Sequence, residues 1–309
     1  MKFGLETKTL ITAMKKLIAL VGLLLIGSFA IAQVEVGKVK SNIMGKGKLV
    51  ATPVSDLLID NFAITFNMYK FDEDRGANGA QVGVRARLGG IDEPLAQEIA
   101  NEAYAYFVAN WKKRNISITL ADKETMMNSK PYKKGEKKGN AKIVNGGIYD
   151  DRQKKSHTIQ AWPEGVDIAY SGSGILPNVG NAKHMWTLGI GNSTGYTATI
   201  DFISFKTAAL GSTASVKSKP QLSMLGGLTA TIWEKNKVGG YIGSIETAGM
   251  KDYYTGIDNE GMEFLGAKVV DDVYMVDKEK FKTNVLSMIK QSMDAQFADY
   301  DAVVAKNTK

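Results

Sequence analysis

The chain has 309 residues, 44% hydrophobic and 23% charged, with no cysteine and a net charge of +7. These proportions suit a globular protein with a sizeable core. The missing cysteines exclude disulfides, a lipid-modified cysteine anchor and thiolate metal clusters.

The N-terminal stretch stands apart. Met14-Lys15-Lys16 leads into the apolar run Leu17 to Ile26 and then Ala30-Ile31-Ala32. A short positive region, an apolar run too short to span a bilayer comfortably and an A-x-A site predict a secretory signal peptide, cleaved between Ala32 and Gln33. Residues 1–32 are therefore read as an upstream extension plus leader, with Met14 as the expected start. Residues 33–309 are read as one domain, periplasmic or secreted, with no stable membrane span after cleavage. Removing the leader's net +3 (Lys2, Lys8, Lys15 and Lys16 against Glu6) leaves +4. That is too small an excess to argue for nucleic acid. The remaining charge is uneven: residues 33–242 hold 27 basic and 19 acidic side chains, residues 243–309 hold 8 and 12. Such asymmetry bears on association more than on fold.

After a Gly- and Lys-dotted approach with a candidate strand at Lys48 to Thr52, Phe62, Ile64, Phe66 and Met68 alternate with smaller residues and predict a half-buried strand. Asp72 to Gly79 reads as a polar turn, and Gln81 to Leu88 as the next strand. Between Ile91 and Arg114, Leu95, Ile99, Ala103, Phe107 and Trp111 recur every four residues, with Ala96, Ala100, Tyr104 and Val108 beside them. That broad stripe predicts a helix laid on a sheet, capped by Asp92, with Pro94 in its first turn and Lys112 to Arg114 in its last.

Asn115 to Leu120 reads as a third strand and Asp122 to Asn128 as a short helix. The run KPYKKGEKKGNAK (130–142) reads as a mobile, lysine-rich surface loop. Beyond it the texture is β: Thr158 to Trp162, Val166 to Tyr170, Met185 to Ile190, Tyr196 to Phe205, a hairpin of Leu222 to Trp233 with Val238 to Glu246, and one strand from Phe264 to Val276. Asp277 then caps a last helix with Phe281, Val285, Met288, Ile289, Phe297, Tyr300 and Val304 as its stripe. The predicted architecture is α+β, a mostly antiparallel sheet with two long amphipathic helices packed on it.

Candidate chemistry is sparse. Gly191-Asn192-Ser193-Thr194-Gly195 matches the G-x-S-x-G pattern of a serine nucleophile, which requires a following helix and a later histidine. A strand-like segment follows instead, and the two histidines, His157 and His184, lie upstream, so a hairpin turn is the plainer reading. Asp72, Asp74 and Asn78 offer oxygens for calcium, but at a spacing unlike the known loop. No cofactor motif is present. The lysine loop, with Lys130, Lys133, Lys134, Lys137 and Lys138 around Tyr132, is the candidate binding element for phosphate or acidic lipid. Trp111, Trp162, Trp186 and Trp233 read as packing residues. Met185 to Phe205 has one arm too short and an apolar face too broken for a membrane hairpin, so it is expected to pack in the protein's own sheet.

Three segments, FAITFNMY (62–69), the helix end WKKRNISI (111–118) and the hairpin TATIWEKNKVGGYIGSIE (229–246), together resemble exported bacterial envelope proteins. These are the curli-secretion lipoprotein family and the amino-terminal domain of the Tol translocation protein. The resemblance implies a periplasmic α/β module that oligomerises or docks partners, with no catalytic residues to carry over. The acylated cysteine of the curli-secretion family is missing here. The expected function is thus a non-enzymatic binding or assembly module of the cell envelope, its partner another envelope protein or a second copy of itself. The alternatives are a hydrolase using Ser193 or a secreted structural matrix protein.

Overall fold

The chain divides into two units, Met1–Gln33 and Val34–Lys309. A computed structural model describes residues 34–75, 81–120, 142–144, 158–164, 192–210, 213–234, 237–264 and 267–308, all in the second unit. The leader, most of the lysine-rich loop, both histidines, Trp186, the short helix at 122–128 and the strands at 166–170 and 185–190 lie outside them.

The fold is α+β and mostly antiparallel. The elements in order are β1 (Glu35–Val36), β2 (Lys40–Gly45), α1 (Gly47–Val50), β3 (Asp56–Asn67), β4 (Tyr69–Arg75), β5 (Gln81–Gly89), α2 (Glu93–Lys112), β6 (Ser117–Thr119), β7 (Lys142–Val144) and β8 (Thr158–Ala161). There follow β9 (Ser193–Leu210), β10 (Thr213–Glu234), β11 (Lys237–Ala248), β12 (Tyr254–Phe264), β13 (Ala267–Val276) and α3 (Lys278–Thr308). Among the described residues a large sheet runs β1-β11-β10-β9-β3-β8-β7, with β2 also on β11 and β6 also on β3. A second sheet runs β12-β13-β5-β4. The parallel pairs are β3 with β9, β3 with β6 and β5 with β13.

The helix stripe does what its spacing demands. Leu95, Ala96, Ile99, Ala100, Ala103, Phe107 and Trp111 are all buried, and Phe107 packs its ring against Phe62 of β3, Tyr196 of β9 and Phe297 of α3. Asp92 caps α2 by accepting from the Leu95 N–H at 3.1 Å. Asp277 does the same for α3, accepting from the Lys280 N–H at 2.8 Å. The two helices lie side by side in the same direction on one face of the large sheet. Asp92 pairs with Lys278 near their starts, Tyr106 bonds Asp294 midway, and Arg114 grips Asp301 at 2.7 Å near their ends.

Inside that layer α3 is also keyed to the sheet by polar groups. The Gln296 amide nitrogen donates to the carbonyls of Gly226 in β10 (3.2 Å) and Gly243 in β11 (2.8 Å). Tyr241 donates to the Gln296 carbonyl at 3.1 Å. Gln296 and Ser292 are fully buried, so these bonds replace water that cannot reach them. Trp111 and Trp162 are likewise fully buried, as packing residues should be, and Trp233 is half-buried.

Four expectations are corrected. Lys48 to Thr52 is not a strand: Gly47–Val50 forms the single-turn helix α1, which tucks Leu49 and Val50 into the interior after β2 has taken the β11 edge. Phe264 to Val276 is not one strand but the end of β12 and all of β13, joined as a hairpin with Phe264 opposite Ala267. β12 was hidden because Gly256, Asp258, Asn259, Glu260 and Gly261 give it no apolar alternation. Asp72 to Arg75 belongs to strand β4 and is not a turn, and the following five residues lie outside the described ones. Ser193 and Thr194 are not a turn but the opening of β9, where Thr194 donates to the Thr229 carbonyl at 2.7 Å. Tyr196 to Phe205 lies in the sheet, flanked by β3 and β10 along its first part. No helix among the described residues is long and apolar enough to cross a membrane, a statement that does not extend to strands.

Candidate functional site

Two places concentrate chemistry among the described residues. The first is Ser193. Its hydroxyl donates at 3.0 Å to Asp60 Oδ2, and both residues are about 1% exposed. Asp60 stands where the β3–β9 register shifts between Ile59 and Asn61, an unpaired bulge residue. Gly195 makes room for it: a Cβ there would lie 2.6 Å from Asp60 Oδ1. That oxygen has no hydrogen-bond partner among the described residues. Burial pushes the carboxyl up to about 8, against the opposing pull of the Ser193 hydroxyl and the Asp60 and Asn61 backbone.

At neutral pH the carboxyl is therefore largely protonated, and a neutral acid does not draw a proton from serine. The segment after Ser193 is a strand, so the strand-to-helix elbow that exposes a nucleophile is not formed. The geometry is that of a buried structural pair and gives the hydrolase reading no support. Of the calcium candidates, Asp72 and Asp74 stand in the β4–β5 ladder opposite Val84 and Val82, and Asn78 lies outside the described residues. Among the described residues no cluster of three His, Asp or Glu could hold a metal ion. Lys130, Tyr132, Lys133, Lys134, Lys137 and Lys138 are not described, so the basic loop stays an expectation.

The second place is the N-terminal edge of the large sheet. β1 pairs with β11 (Glu35 opposite Ala248, Val36 opposite Thr247), and the Gly37 N–H reaches the Glu246 carbonyl at 2.9 Å. β2 continues along the same edge, with Lys40 opposite Ser244, Asn42 opposite Ile242 and Gly45 opposite Gly239. The run ends at Gly45, whose φ of +66° a residue with a side chain would adopt only under strain, and the Lys46 N–H closes on the Val238 carbonyl at 2.8 Å.

No residue of β1 or β2 is buried. They are held to β11 by backbone bonds, with little burial of their own. Beside β1 lies a groove of about 610 Å³, lined in part by Glu35, Gly37, Asp201, Ser223, Leu225 and Glu246. Leu225 is 49% exposed, a large apolar side chain left in the open on a β-strand. Asp201 is fixed by the Asn67 amide at 2.6 Å and by Lys70 at 3.2 Å, whereas Glu246 meets Lys40 only loosely at 3.7 Å. The groove thus joins the exposed apolar side chains of Val36 and Leu225 to three carboxylates. That suits an extended segment bearing apolar and basic side chains.

Sequence reasoning missed this edge because β2 has no periodicity to find. It also missed Asp60, although a signal was present. Leu57 and Ile59 alternate in one phase and Phe62, Ile64 and Phe66 in the other, and such a phase slip marks a bulge. No protein-family model, no curated protein and no solved structure matches the chain.

Proposed function

We propose that this protein is an exported, non-enzymatic binding or assembly module of a bacterial cell envelope, and that it docks partners along the β1–β2 edge and the adjoining groove. One observation carries the reading: the edge strands have no buried side chain, and β1 borders a groove that combines an exposed Leu225 with Glu35, Asp201 and Glu246. Edge strands template further strands unless they are covered or blunted, and exposed apolar groups beside them supply specificity. Cleavage after Ala32 fits the same picture, since it would leave the new amino terminus two residues before β1. In this reading the helices are scaffold, and α2 and α3 spend their apolar stripes on the sheet.

The test is capture from the native host. The tagged full-length protein is cross-linked in whole cells and recovered beside a variant carrying Leu225→Arg and Glu246→Lys. Both positions are exposed but oppose each other across the β10–β11 ladder, so circular dichroism and thermal stability matching the wild type are established before capture is compared. A specific envelope partner, or the protein itself, should be cross-linked to the wild type and lost with the variant. Equal capture by both, or capture of nothing, overturns the docking reading.

A further inference from the structure

The inference rests on the docking reading above and names its partner: we propose that β2 pairs edge to edge with β2 of a second copy of this chain, antiparallel about a two-fold axis near Asn42.

Three observations lead there. Among the described residues β2 pairs with β11 alone, so its other side presents unpaired backbone donors and acceptors. Such an edge is normally blunted by proline, by inward charge or by brevity. β2 is six residues long, and Ser41 to Gly45 holds neither a charge nor a proline. Between the lysines that bracket it, the segment leaves its outer edge open to pairing.

Charge placement then selects the partner. Antiparallel pairing about Asn42 sets Lys40 opposite Met44 and Ser41 opposite Ile43, so no charge within β2 faces its own copy; Lys38 and Lys46, just outside the strand, come opposite each other and make the contact weaker at low salt. The same pairing brings Ile43, 37% exposed, into a cross-strand neighbourhood that shields it. A parallel arrangement would instead stack Lys40 on Lys40. Self-complementarity of this kind is what a two-fold interface requires, because each residue must suit its symmetry mate. The contact is small. Six residues with one half-exposed apolar side chain bury far less than the roughly 1,200–2,000 Å² of a stable interface. The dimer is accordingly reversible and concentration-dependent.

The chain contains no cysteine, which makes the test clean. Single cysteines are introduced as Ser41→Cys, Asn42→Cys, Ile43→Cys and Met44→Cys, with the exposed helix position Thr283→Cys as the measure of random collision. Directly opposed strand residues have Cα atoms about 4.5–5.5 Å apart, within reach of a disulfide. Mild oxidation should give several-fold more covalent dimer at Asn42 than at Thr283, falling away at Met44. Met44→Lys should move the protein to monomer in sedimentation while its circular dichroism stays unchanged. Covalent dimer at Asn42 no higher than at Thr283 overturns the inference.

Repeating the experiment in host cells, with a thiol-to-amine cross-linker attached to Asn42→Cys in place of oxidation, separates the two readings. Cross-links to another envelope protein, but not to itself, would keep the docking surface and discard the second copy as its occupant. Cross-links to neither would discard both.

Discussion

The helix-covered face of the large sheet and its N-terminal edge are built from the same kind of strand, yet different forces hold them. Under α2 and α3, buried side chains make the contact, among them Phe107 against Phe62, Trp111 against Phe297 at 5.0 Å and Gln296 on two carbonyls. At β1 and β2 the ladder is complete but no side chain is buried. Apolar burial is the dominant stabilising contribution in folding, and a solvent-exposed ladder adds little net. The covered face is therefore expected to open only with the whole protein, and the edge by itself. A surface meant for exchange of partners belongs in the second class.

The largest effect is expected in the covered face. Phe107→Ala removes a fully buried ring that touches four others, and should cost about 3–5 kcal/mol. That is a large share of the roughly 5–15 kcal/mol by which domains are stable. Chemical denaturation should show the midpoint drop sharply with an unchanged slope. A shift too small to measure would mean that the ring packing contributes little and that the contrast with the edge is illusory.

Asp60, buried at the β3–β9 bulge, ties the stability of the covered sheet to pH. Its folded value of about 8 lies above the ordinary 3.8. The unfolded chain therefore releases a proton that the folded chain keeps. The stability Asp60 contributes is full below about 3.8 and is lost progressively as pH rises through about 8. Asp60→Asn keeps an acceptor for Ser193 and removes the ionisation. Stability measured from pH 5 to pH 8.5 should decline less in Asp60→Asn than in the wild type, with the two closest at the acid end. Parallel curves would show that the carboxyl is ionised in the folded state.

How much of this was legible in the sequence follows the same division. Helix α2, its Asp92 cap and strand β3 could be read because burial writes a period of 3.6 or 2 into the chain. The Asp277 cap and the start of α3 were readable for the same reason. β2 could not, because a strand with exposed side chains has no period to leave, and neither could β12, whose residues show no apolar alternation. Ser193 misled in another way: its G-x-S-x-G frame looks like a turn or an elbow, and only the partnership with Asp60 across the β3–β9 seam explains why a serine is buried there. Long-range polar pairing has no local signature. The parallel pairing of β3 with β9, more than a hundred residues apart, was invisible for that reason.

A smaller effect is expected at Gln296. Gln296→Leu preserves most of the volume but removes the donor shared by the Gly226 and Gly243 carbonyls. Leaving a buried acceptor unpaired costs about 1–3 kcal/mol. The loss in denaturation midpoint should fall clearly below that of Phe107→Ala. A loss as large would mean that the polar key, and not the aromatic layer, fixes α3 on the sheet.

The smallest effect tests the edge itself. Asn42 lies in the middle of β2, exposed, opposite Ile242. If β2 is held by its backbone, the side chain at this position is nearly irrelevant to folding. Asn42→Ala should then stay within about 0.5 kcal/mol of wild type, the usual range for exposed substitutions away from special features. The same measurement can be made local by amide exchange. The β2 amides that bond to β11 should exchange through a small opening, at rates indifferent to modest denaturant. The amides of β3 and β9, beneath the helices, should exchange only with global unfolding and accelerate as denaturant is added. Dilute protein is essential here, because pairing between copies would itself protect β2. Protection of β2 equal to that of β3 in dilute solution would place the edge in the same cooperative unit as the covered face, and the contrast drawn between them would fail.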